Sequence, residues 1–62
     1  MKTANELFDE AVAQIESKSI RAWATSDHNK PIWLKHIQSL LDEGRKVDTQ
    51  RLCTFMILTA MG

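Results

Sequence analysis

The chain has 62 residues, which is enough for one small domain but not for a multidomain enzyme with a deep cleft. Its 44% hydrophobic and 26% charged residues, together with only two Gly and one Pro, exclude a disordered or collagen-like chain and favour a compact helical domain. Eight Lys and Arg balance eight Asp and Glu, so no net charge attracts the chain to nucleic acid or to anionic lipid.

A first helix is predicted over residues 4–24. Thr3 followed by Glu6 fits a capping box, in which each side chain satisfies an unpaired backbone amide at the start of a helix. At about 100° per residue, the apolar residues of this segment form one stripe, comprising Ala4, Leu7, Phe8, Ala11, Val12, Ile15, Ala22 and Trp23. The weakest stretch is 17–19, where two serines flank a lysine, so a break there is the alternative.

A polar loop and a second helix follow. Residues 25–31 are rich in turn formers and end in Pro31, which suits the first turn of a helix. The second helix is predicted over 31–43, with an apolar face of Trp33, Leu34, Ile37, Leu40 and Leu41. Gly44 is then expected to adopt the left-handed conformation that commonly ends a helix.

A third helix is predicted over 48–61. Asp48 is a good N-cap, and Val47 before it is placed to pack on Leu52 as a hydrophobic staple. The main apolar face comprises Leu52, Cys53, Met56, Ile57 and Ala60. The sequence therefore predicts a single all-α domain over residues 1–62, a small three-helix bundle whose core a second copy would complete by dimerisation.

The third helix carries a second apolar stripe opposite its main face. Phe55 and Leu58 form this stripe, and Arg51 lies beside it. Because two neighbouring helices cannot cover both sides of a third, we expect the stripe of Phe55, Leu58 and Arg51 to contact another chain. Ile20 and Ile32 are two further surplus apolar residues. In the alternative interpretation, the long first helix wraps around the bundle and the monomer buries both stripes.

The sequence favours a non-enzymatic protein-binding module, such as a regulator, adaptor or inhibitor, that docks through a preformed helical surface. Its predicted protein-binding residues are Phe55, Leu58, Arg51 and Trp23. The expected partner is a second copy of the chain, as a homodimer, or a different protein. Trp23 and Trp33 bracket the polar loop; we expect them to stack, with Trp33 in the core and Trp23 partly exposed as a contact residue.

Two other surfaces remain as alternatives. A helix-turn-helix made of the second and third helices would contact nucleic acid through Arg45, Lys46 and Arg51, although its inward positions do not fit that motif well. An acidic surface on the first helix would engage a basic partner, and it comprises Glu6, Asp9, Glu10 and Glu16.

No residue pattern indicates chemistry. His28, His36, Asp27 and Cys53 match no metal-ligand spacing, and no phosphate loop or paired-carboxylate motif is present, so we expect no enzyme activity, metal or cofactor. Cys53, the one cysteine, is expected to be an unreactive core residue. The absence of an apolar signal segment or a membrane span predicts a cytoplasmic protein.

Overall fold

A computed structural model of the chain describes residues 2–62. In that range it has no strand and consists of four helices, α1 (Ala4–Ala13), α2 (Lys18–Ala24), α3 (Lys30–Asp42) and α4 (Thr49–Met61). The all-α class is confirmed, and the predicted three-helix count is wrong, because the segment predicted as one helix over 4–24 forms α1 and α2. The second and third predicted helices correspond to α3 and α4.

The break between α1 and α2 falls at residues 14–17, close to the predicted weak stretch. Gln14 caps the end of α1, and the backbone N–H of Ile15 donates to the carbonyl oxygen of Val12 at 3.0 Å. Ser17 then begins α2: its backbone is extended, and its hydroxyl accepts a hydrogen bond from the Ile20 backbone N–H at 3.3 Å. A short polar side chain that binds the backbone locally competes with helix continuation.

The break reorients the apolar residues of α2. In one straight helix, Ile20 and Ala24 lie on the side opposite the apolar stripe, whereas Ala22 lies on it. The structure instead buries Ala24 completely, packs Ile20 against the core and leaves Ala22 exposed. The placement of Ala22 on the buried stripe and of Ile20 among the surplus apolar residues is therefore wrong, and both errors come from extending the helix through Ser17.

The core lies around α1, which packs against both α3 and α4, while α2 packs against α4. The fully buried larger side chains are Phe8, Ile15, Ile37 and Met56. A hydrogen bond of 3.1 Å from the Gln14 side chain to the Thr49 hydroxyl joins the end of α1 to the start of α4. Most of the predicted stripes thus face one shared core, and this arrangement fixes which side of α4 remains outside.

The turns into α3 and α4 follow the expected chemistry. Pro31 lies in the first turn of α3. Gly44 has a φ of +75°, the left-handed conformation predicted for it. Asp48 caps α4 by accepting a hydrogen bond from the Gln50 backbone N–H at 2.9 Å. The 43–48 turn returns the chain so that α4 lies beside α3 without close backbone packing between them.

Candidate functional site

One side of α4 stays outside the core. Leu52, Cys53 and Met56 are buried, whereas Phe55 is 50% exposed and Leu58 is 63% exposed. Ile32 on α3 and Met61 near the end of α4 are also exposed. The alternative in which the monomer buries both stripes of this helix is therefore wrong, and the expected exposure of Phe55 and Leu58 is confirmed.

An aromatic cluster joins α2, α3 and α4. Trp33 is nearly buried, and its ring contacts Trp23 edge-on at 6.1 Å and Phe55 edge-on at 5.6 Å between centroids. His36, one turn further along α3, completes the cluster at 6.0 Å from the Phe55 ring. Edge-to-face pairs of this kind are each worth about 0.5–1.5 kcal/mol beyond the buried area. Phe55 is thus held in a fixed position although half of its surface is exposed.

Polar groups in the α2–α3 turn hold the backbone at Trp23. The Asn29 side-chain amide donates hydrogen bonds to the Trp23 carbonyl oxygen at 3.0 Å and to the Ser26 hydroxyl at 3.1 Å. The Ser26 hydroxyl in turn donates to the same Trp23 carbonyl oxygen at 2.8 Å. The expected contact between Trp23 and Trp33 is confirmed, as are the burial of Trp33 and the partial exposure of Trp23.

The space between α3 and α4 is an open groove with two lobes, which meet at His36 and Phe55. The apolar lobe has a volume of about 440 Å³ and is lined by Trp23, Asn29, Ile32, Trp33, His36, Phe55 and Thr59. Its walls are mainly aromatic and aliphatic carbon, so it suits a bulky apolar side chain.

The basic lobe has a volume of about 340 Å³ and lies toward the start of α4. It is lined by His36, Leu40, Lys46, Val47, Asp48, Arg51, Leu52 and Phe55. Within residues 2–62, neither Lys46 nor Arg51 forms a salt bridge. The one carboxylate of this lobe belongs to Asp48 and accepts a hydrogen bond from the backbone of α4. The lobe therefore presents two cationic side chains to solvent.

The structure brings together three of the four predicted protein-binding residues. Trp23 and Phe55 line the apolar lobe, and Arg51 lines the basic lobe beside Phe55. Leu58 lies outside both lobes, one turn after Phe55 on the exposed side of α4.

Sequence reasoning missed the α3 wall of the groove. Ile32, His36 and Leu40 are spaced four residues apart, so they lie on one side of α3 and face α4. That spacing is the signal in the sequence, but the assignment of Leu40 to the core face of the second helix obscures it.

The predicted acidic surface is partly engaged in local structure. Glu6 belongs to the capping box with Thr3, and Glu10 forms a 2.7 Å salt bridge with Lys2. The backbone N–H and hydroxyl of Thr3 both donate to the Glu6 carboxylate and lower the pKa of Glu6 from its ordinary value. Asp9 and Glu16 are exposed, and Glu16 lies in the break after α1.

Of the predicted nucleic-acid contacts, Lys46 and Arg51 line the basic lobe, whereas Arg45 lines neither lobe. Arg45 is exposed and lies 3.6 Å from the Glu43 carboxylate, and the separation of α3 from α4 does not favour a closely packed helix-turn-helix.

Within residues 2–62 no three His, Cys, Asp or Glu side chains cluster as metal ligands, and Cys53 is buried. None of the helices in that range combines the length and apolar character needed to cross a membrane.

Comparison with known proteins identifies no relative. Neither a protein-family model, nor a curated protein, nor a solved structure matches the chain. The class that the structure itself defines is a small all-helical domain with an exposed apolar side on α4 and a groove beside it. Function is therefore inferred from those surfaces.

Proposed function

We propose that the chain is a non-enzymatic protein-binding module, a regulator, adaptor or inhibitor, that binds its partner through a preformed helical surface. Its docking face comprises Trp23, Arg51, Phe55 and Leu58. Phe55 and Leu58 act as apolar anchors, Trp23 extends the contact across the apolar lobe, and Arg51 orients the partner by charge.

The two-sided character of α4 is the observation that supports this proposal. Met56 is fully buried, while Phe55 and Leu58, the residues one before and two after it, leave half or more of their surface in water. Burying an aromatic or large aliphatic side chain contributes roughly 1.5–3 kcal/mol. A domain of this size has a small free energy of unfolding. A partner that buries both anchors therefore adds stabilisation that the isolated chain lacks.

A charge placed in the docking face tests the proposal. Leu58→Glu puts a carboxylate on an exposed anchor, so it should leave the fold intact and abolish partner capture. Gln50→Glu is the matched control, because it adds the same charge to an exposed position of α4 that lines neither lobe and lies about two turns before Leu58. Affinity capture from the native host, identified by mass spectrometry, should recover a partner with wild type and with Gln50→Glu but not with Leu58→Glu.

Sedimentation velocity of the same three proteins over a wide concentration range identifies the homodimeric form of the proposal. If the partner is a second copy, wild type and Gln50→Glu should sediment faster as concentration rises, and Leu58→Glu should remain a monomer. The proposal fails if Leu58→Glu changes neither partner capture nor association state, because the exposed stripe of α4 then has no binding role.

A further inference from the structure

We infer that the groove between α3 and α4 binds an acidic amphipathic helix of another protein. An apolar side chain of that helix would occupy the apolar lobe, and its carboxylates would meet Lys46 and Arg51 in the basic lobe. This inference rests on the proposed protein-binding function and specifies the chemistry of the partner.

The dimensions of the groove fit a short helix. On α4 its walls extend from Asp48 to Thr59, eleven steps along the helix or about 16 Å at 1.5 Å per residue. On α3 they extend from Ile32 to Leu40, or about 12 Å. A partner helix of about three turns spans that length, and its residues three and four apart can reach both lobes from one face.

The charges of the groove specify acidic residues on the partner. Lys46 and Arg51 form no salt bridge within residues 2–62, and both line the same lobe. Arg51 precedes Phe55 by four residues, so the cation and the aromatic anchor lie one turn apart on the same side of α4. A complementary helix therefore carries a carboxylate about one turn from a bulky apolar side chain. Such charge complementarity fixes orientation and excludes basic partners.

A second copy of the chain does not supply this combination. The apolar face of α1 is buried, so the acidic side that α1 exposes has no large apolar anchor beside it. Ile32, Leu58 and Met61 are exposed, but no acidic residue lies three, four or seven positions from any of them. Among the large exposed apolar residues of the described range, only Phe55 has an acidic residue at such a spacing, Asp48 seven positions before it, and Asp48 already belongs to the groove.

Nucleic acid fits the same surface less well. Lys46 and Arg51 provide only two cations in the basic lobe, and the chain as a whole has no net charge. Beyond the aromatic side chains of the groove itself, the exposed apolar residues that extend this surface, Ile32, Leu58 and Met61, are not aromatic and add no further platform on which bases stack.

Selection from a displayed library of random peptides, each long enough for about three helical turns, tests the inference with the full chain as bait. Enriched peptides should carry Asp or Glu one turn from a bulky apolar residue. Their affinity, measured by fluorescence anisotropy, should fall at least about tenfold with Lys46→Glu or Arg51→Glu, which is about 1.4 kcal/mol. The reversed charge at Arg51 should not unfold α4, since an acidic residue near a helix start is favourable.

Lys35→Glu is the matched control, because Lys35 is exposed and lines neither lobe, so its charge reversal should leave peptide affinity unchanged. Enrichment of neutral or basic peptides, or acidic peptides unaffected by the Lys46 and Arg51 variants, would overturn the inference. So would a labelled single-stranded or duplex oligonucleotide that binds more tightly than any peptide. Concentration-dependent dimerisation lost in Leu58→Glu, without peptide binding in the groove, overturns the inference alone and leaves the proposed function standing.

Discussion

Single polar side chains decide where three of the four helices begin. Thr3, Ser17 and Asp48 each have an extended backbone and accept a hydrogen bond from a backbone amide two or three residues further along. At the start of α3, Asn29 makes no such bond and instead donates its amide hydrogens to the Trp23 carbonyl oxygen and the Ser26 hydroxyl. The residue that would cap α3 is thus used to hold the turn beside the apolar lobe.

The capping box predicts a pH dependence of stability. Hydrogen bonds from Thr3 hold the pKa of Glu6 below its ordinary value, so the ionised carboxylate stabilises the folded chain above that ordinary value. This contribution is lost as the pH falls through the lowered pKa. Glu6→Gln retains a side chain that can complete the box but cannot ionise. In urea unfolding, wild type should be more stable than Glu6→Gln at neutral pH, and the difference should disappear in acid.

Repeating this comparison in a Thr3→Ala background is the control. Without the Thr3 hydroxyl, one of the donors that lower the pKa of Glu6 is gone, so the pH dependence of the difference should be smaller. A difference between wild type and Glu6→Gln that is equal at neutral and acid pH would contradict this account of Glu6.

Among the elements, the short helix α2 departs most from the sequence prediction. Apolar spacing located the buried faces of α1, α3 and α4, because those faces repeat at helical intervals within one uninterrupted element. It failed at α2, where Ala24 is buried and Ile20 is partly buried only because the chain changes direction before them. The stabilisation gained by this change of direction depends on where α4 lies in the fold, and the spacing of residues along the chain does not specify that position.

The candidate site likewise has one part that the sequence predicts and one part that only the structure shows. The exposure of Phe55 and Leu58 follows from the periodicity of one helix, so the sequence was sufficient to predict it. The groove depends on how far α3 lies from α4, and that distance is set by the packing of both helices on α1. Ile32 and His36 could therefore be assigned to the site only from the structure.

Substitution of the N-cap residue Ser17 tests what stabilises the start of α2. Ser17→Ala removes the acceptor for the Ile20 backbone N–H, so it should lower the free energy of unfolding by about 1 kcal/mol. Ser19→Ala is the matched control, because Ser19 is exposed inside α2 and alanine is at least as good a helix former there. Urea denaturation followed by tryptophan fluorescence measures both. An equal effect of the two substitutions would show that Ser17 does not stabilise the start of α2.

For the whole molecule, α1 organises the core and leaves α4 with two different sides. The other helices reach α4 from one direction, through Leu52, Cys53 and Met56. Its far side carries Phe55 and Leu58, and only Phe55 receives aromatic contacts from α3. The proposed docking face and the core therefore lie on separate sides of one helix, so substitutions on the exposed side can leave the core unchanged.

This separation predicts opposite outcomes for two alanine substitutions on α4. Met56 is fully buried, so Met56→Ala leaves a cavity and should cost about 2–5 kcal/mol. That is a large part of the roughly 3–9 kcal/mol expected for a domain of this length. Leu58→Ala removes a side chain that is 63% exposed, so for the isolated monomer the change should stay within about 0.5 kcal/mol.

Thermal and urea unfolding at a concentration where wild type is monomeric measure both variants. Binding should rank them in the other order: Leu58→Ala should weaken partner capture, and Met56→Ala should retain it wherever the variant is folded. A comparable loss of monomer stability in Leu58→Ala would mean that the outer side of α4 contributes to folding, and the docking face would then be reduced to Phe55 and the groove beside it.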